Sequence, residues 1–117
     1  LHKTAKISKD ARLETSIFIS NGALINALAT IKKGAIINTG AIIEHECNIG
    51  ESSHVGPGAV LAGKVKIGKN TFIGANATII PGVNIGNNVT IGAGSVVIED
   101  VSDNSIYVGN PARKLKK

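Results

Sequence analysis

His45 followed by Glu46, with His54 nine residues on, are the side chains whose types and spacing could do chemistry. An imidazole beside a carboxylate can take a proton from an attacking amine or hydroxyl. A second imidazole can meet the negative charge that develops on a carbonyl oxygen, and acyl transfer requires both roles. The plain alternatives are a solvated ring for His45 and an interface hydrogen bond for His54. The single cysteine, Cys47, falls in a series of small inward residues described below and reads as packed core, not as a nucleophile. His2 lies near the terminus and is set aside. The three His and the acids show no ligand spacing, so no metal is expected.

The elements that must carry these residues are set by a six-residue period. Stepping from Ile7 gives Ile7, Leu13, Ile19, Ile25, Ile31, Ile37, Ile43, Ile49, Val55, Leu61, Ile67, Ile73, Ile79, Ile85, Ile91 and Val97, every one aliphatic and with no insertion. Two positions before each lies a second inward residue, usually small, as at Ala23, Ala29, Ala35, Ala41, Cys47, Ser53 and Ala59. Three positions after each is a corner, held by Gly, Asn, Asp or Ser at twelve of the fifteen sites from Asp10 to Gly94. Those residue types tolerate left-handed dihedrals. Leu28, Glu46 and Lys64 are the exceptions. Each hexad is then a short strand and a turn, which cannot bury its own face until neighbouring coils stack on it.

Three hexads per coil make a triangular prism with an 18-residue turn, a parallel β-helix over residues 1–98, with a short irregular tail over 99–117 capping one end. The same spacing sorts the outward side chains. One face carries Leu24, Ile42, Val60, Thr78 and Val96; the next Arg12, Thr30, Asn48, Lys66 and Asn84; the third Phe18, Ile36, His54, Phe72 and Thr90. Two faces are apolar and one is polar, which predicts a homotrimer that buries one apolar face against the unlike face of its neighbour. His45 and His54, half a coil apart, cannot converge within one chain. Across a subunit junction they can.

Composition narrows the classes further. The 117 residues allow one domain, and the apolar content is aliphatic, with one Tyr, two Phe and neither Trp nor Met. No membrane span and no signal-peptide pattern is present, so a cytoplasmic protein is expected. The net charge of +5 comes from scattered Lys without interleaved aromatics, which argues against nucleic acid and leaves small polyanions as partners.

The Ile-Gly pairs at Ile49-Gly50, Ile67-Gly68, Ile73-Gly74, Ile85-Gly86 and Ile91-Gly92 resemble the repeat of hexapeptide acyltransferases. The left hand of the expected β-helix comes from that resemblance, since general crossover preference points the other way. The run from Asn38 through His45-Glu46-Cys47 to Gly50, then Ser53-His54-Val55 and Gly58-Ala59, is similar to the catalytic half of bacterial sugar acetyltransferases. These are the sialic-acid O-acetyltransferases and the N-acetyltransferases acting on UDP-linked 4-amino-sugars. The closing Tyr107-Val108-Gly109-Asn110-Pro111-Ala112-Arg113 resembles their tail.

The resemblance implies an acetyl-CoA-dependent acetyltransferase acting on an amino group of a nucleotide-linked sugar. A sialic-acid type O-acetyltransferase and a non-catalytic trimeric scaffold, like the γ-carbonic-anhydrase-related trimers, are the alternatives. It further implies that His45 is the general base, that Glu46 raises its basicity, and that His54, Gly63, Ala75 and Ala93 contact acetyl-CoA. Arg113, Lys114, Lys116 and Lys117 could meet CoA phosphates. Members of this family carry an N-terminal sugar-binding domain, which the resemblance implies is not among these residues, and the start at Leu1 is expected of an excised piece of something longer.

Overall fold

The structure, a computed structural model, describes residues 1–115. Each of the sixteen periodic aliphatic residues is the second residue of a two-residue strand, from Lys6–Ile7 to Val96–Val97. The strands are short because a corner follows three residues after each one. Every corner residue from Ser16 to Gly94 has a positive φ, including Leu28, Glu46 and Lys64 at 60°, 60° and 62°.

The strands fall into three parallel sheets, one per prism face. Pairing runs in an unbroken three-hexad register, as in Leu24 with Ile42 and Ile42 with Val60 on the first face. Thr30 with Asn48 shows it on the second, and Ile36 with His54 and His54 with Phe72 on the third. The result is a left-handed parallel β-helix of about 40 × 20 × 20 Å. The outward columns are therefore the three that the spacing predicts.

Inside, the aliphatic residues stack over one another and the small series fills between them. Ile19, Ile31, Ile37, Ile43, Ile49, Ile73, Ile79 and Ile91 are wholly buried, each contributing about 2 kcal/mol by leaving water. The polar members of the small series are satisfied within the coil. Ser53 Oγ donates to the Gly68 carbonyl at 2.5 Å and accepts from the Thr71 amide at 3.0 Å. Thr71 Oγ1 repeats this one coil on, donating to the Gly86 carbonyl at 2.7 Å.

Past Val97 the period changes. Val101 bridges to Ile85, and Ile106–Gly109 pairs in parallel with the strand at Thr90–Ile91. In both pairings the partner arrives two positions sooner than the three-hexad register would bring it, so the last coil is shortened. The chain then reverses into Ala112–Lys114, antiparallel to Ile106–Gly109. The segment expected as an irregular cap thus contributes two strands to the third face.

Candidate functional site

His45 and Glu46 occupy the corner between the first face, which they follow at Ile42–Ile43, and the second, which begins at Asn48. His45 Nδ1 lies 3.2 Å from Glu46 Oε1, and both side chains are about half exposed. A carboxylate only accepts, so Nδ1 donates, and in the neutral ring Nε2 keeps its lone pair. One coil further along the same edge is Gly63. The imidazole leans over it, so that a Cβ added there would sit 2.7 Å from His45 Cε1.

The three corner exceptions form one ladder. Leu28, Glu46 and Lys64 are successive rungs of this edge, each one coil from the next and all left-handed. The Lys64 amide donates to the His45 carbonyl at 2.9 Å. Side chains with a Cβ pay for this conformation in strain, and such strain collects at functional sites. Of the nine described non-glycine residues with positive φ, the other six are Ser or Asn, and these three share the edge of His45.

His54 stands on the third face, half-buried between Ile36 and Phe72. Its ring meets Phe72 edge to face, with centroids 5.1 Å apart and planes at 88°. Asn38 Nδ2 donates to His54 Nε2 at 3.1 Å. That places the ring proton on Nδ1, where it can be donated outward. Asn38 was not singled out from the sequence. The signal was present, because Asn38 follows Ile36 by two residues, and Ile36 is the residue directly beneath His54 in the register of the third face.

Ala75 and Ala93 share the corner between the third and first faces, one coil apart, where their small side chains leave the edge open. Within one chain the expected residues thus form two groups. His45, Glu46 and Gly63 share one edge. His54, Ala75 and Ala93 lie on the third face and the edge it runs into, with the width of the first face between the groups.

Cys47 points inward, as its place in the small series requires, and is buried. Its thiol lies 3.0 Å from the Ala62 carbonyl, and burial pushes it above the ordinary thiol range. Among the described residues, no three His, Cys, Asp or Glu side chains gather as metal ligands, and no helix is long and apolar enough to cross a membrane. Lys116 and Lys117 lie outside the described residues.

The chain matches two protein families, described as hexapeptide repeat of succinyl-transferase over residues 64–99 and bacterial transferase hexapeptide (six repeats) over residues 46–80. No curated protein matches it. Among solved structures, PerB from Caulobacter crescentus in complex with CoA and GDP-perosamine is 40% identical with a TM-score of 0.99, over 99% of this chain and 56% of PerB. A mutant of GDP-perosamine N-acetyl transferase from the same organism, with the same two molecules, is 39% identical with a TM-score of 0.99, over 100% of this chain and 56% of that one. The acetyltransferase domain of PglB from Neisseria gonorrhoeae in complex with acetyl coenzyme A is 34% identical with a TM-score of 0.96, over 97% of this chain and 56% of that one. The chain thus spans little more than half the length of each.

Proposed function

We propose, from the premise that the chain belongs to the hexapeptide-repeat transferases, that it transfers an acetyl group from acetyl-CoA to an amino group of a nucleotide-linked sugar. The observation that carries this reading is the His45–Glu46 pair on an open edge, in a chain whose fold superposes on relatives in complex with CoA and GDP-perosamine. Glu46 holds Nδ1 and aims the free Nε2 outward. That nitrogen takes the proton the amine loses as its lone pair adds to the acyl carbon. Acetyl-CoA supplies the activated acyl group: its C–S bond breaks as the C–N bond is completed, and CoA leaves as the thiol with the proton that His45 took from the amine. His54, with its proton on Nδ1, donates toward the oxygen on which negative charge gathers.

Both imidazoles reach one substrate only across a subunit junction. The proposed assembly is a homotrimer in which the first face of one copy meets the third face of the next. This brings the His45 edge of one β-helix beside the His54 face of its neighbour. Gly63, Ala75 and Ala93 then line the same cleft as contacts for acetyl-CoA. In this reading residues 1–98 are the catalytic coil, 99–117 close it, and the reaction runs in the cytoplasm.

Release of free thiol, measured with a panel of GDP- and UDP-linked amino sugars, tests the substrate class. Turnover is expected with at least one amine acceptor and not with the matching 4-hydroxy sugars; the reverse preference would replace N- with O-acetylation. His45→Ala is expected to lower turnover by about 10² to 10⁴ with assembly unchanged, as loss of a general base does. Undiminished turnover would remove His45 from the role.

A further inference from the structure

Among the described glycines without a left-handed φ, Gly63 and Gly92 are the two where the nearest atoms to an added Cβ all belong to side chains, those of Val108 and Ser95 at Gly92 and of a single imidazole at Gly63. Gly22, Gly34, Gly40, Gly58, Gly82 and Gly94 hold left-handed corners, where φ itself favours glycine. Gly50, Gly56, Gly68, Gly74 and Gly86 each follow a strand, and a Cβ there would drive into the backbone of the next coil, as at 2.8 Å from the Lys69 amide for Gly50. Neither reason applies to Gly63. Its φ is not left-handed, and the nearest atoms to a Cβ built on it all belong to the imidazole of His45: Nε2, Cε1 at 2.7 Å and Cδ2 at 3.1 Å. The equivalent rungs of this edge carry side chains in the other coils, as Lys9, Ala27, His45 and Pro81. The coil accepts a Cβ at this position; the ring over Gly63 does not.

We infer that Gly63 is a positioning residue for His45. Glu46 holds the ring at Nδ1, and the bare Cα of Gly63 is the floor that lets the Nε2 side settle over the next coil. Two fixed points define where the free lone pair sits. Since the ring is the half-exposed end of a flexible side chain, a methyl at Gly63 would swing it aside at little cost to the fold. It would, however, move Nε2 by a distance that matters to proton transfer. This role rests on the reading of His45 as the base, and it differs from the direct acetyl-CoA contact expected of the same residue. A direct contact acts without His45, whereas a floor acts only through it.

The test is a double-mutant cycle on the full chain, using G63A, H45A and the pair. The expected result is that G63A lowers kcat by about 100-fold, a loss much larger than any rise in the KM for acetyl-CoA, leaves the thermal midpoint unchanged, and has no further effect on kcat when added to H45A. In the carbon-edited proton spectrum, the ring resonances absent from H45A are expected to shift in G63A. Wild-type turnover in G63A, an unmoved ring resonance, or an equal loss in the H45A background would overturn the inference. So would a fall in thermal midpoint, since the glycine would then serve the coil. If H45A itself turned over normally, the base assignment would fail, an outcome distinct from any of these.

Discussion

A thiol two residues from the His45–Glu46 pair invites a nucleophile, and the direction of one side chain decides against it. Cys47 faces inward in the small series, donates toward a carbonyl, and is held above the ordinary thiol range by burial. The folded state therefore keeps the proton where the unfolded chain would lose it. Its contribution to stability is whole below the unfolded thiol value and declines as pH rises through the raised folded one. Cys47 is expected to resist a thiol reagent at pH 8 in the native protein and to react in full once the chain is unfolded in denaturant. Prompt labelling of the native chain would mean the side chain is not where the coil puts it. Adjacency made His45 and Glu46 legible in the sequence, and the period gave the inward turn of Cys47. Asn38 was legible only through the register of the third face, because its partner His54 lies nearly a full coil further along the chain, a separation that becomes a contact only after the backbone has gone once around.

The element that organises the site is a corner, repeated once per coil along the same edge. Elsewhere Gly, Asn and Ser occupy the left-handed position, so Leu28, Glu46 and Lys64 in succession on one edge mark where the coil departs from its own rule. Leu28 is the rung farthest from the floor of the His45 ring and is 57% exposed, so its side chain returns little packing for the strain it carries. Leu28→Asn is expected to raise stability by about 1 kcal/mol, read as an increase in denaturant midpoint, with turnover unchanged. A midpoint that falls would show that the leucine makes an apolar contact worth more than the relief. Each rung was visible in the sequence as an exception; that the three are neighbours follows from folding by three hexads. The closing strands were not legible for the complementary reason. Where the period would place an aliphatic residue, position 103 is Asp, and the coil instead resumes at Val101 and Ile106 on the shortened register.

At the scale of the molecule, the polar and apolar faces decide how many copies make a site. The second face carries Arg12, Thr30, Asn48, Lys66 and Asn84 and is at home in water. The third leaves Phe18 and Phe72 56% and 41% exposed around a half-buried His54, and the first presents Leu24, Ile42, Val60 and Val96. A lone prism would hold both apolar columns against solvent, which the proposed three-fold ring relieves by pairing unlike faces. Ile42 sits mid-column between Leu24 and Val60 with its side chain outside the coil. Ile42→Asp therefore leaves the core intact and puts an unpaired carboxylate into each of three equivalent junctions. Burying such a charge costs several kcal/mol at every one. The variant is expected to elute as a monomer by size exclusion with light scattering, to keep its β circular dichroism, and to lose turnover, because neither imidazole alone completes the cleft. Asn48→Asp, the same charge on the polar face, should leave both mass and turnover unchanged. An Ile42→Asp trimer, or a dissociated chain that still transfers acetyl groups, would mean that the catalytic cleft is not built between first and third faces.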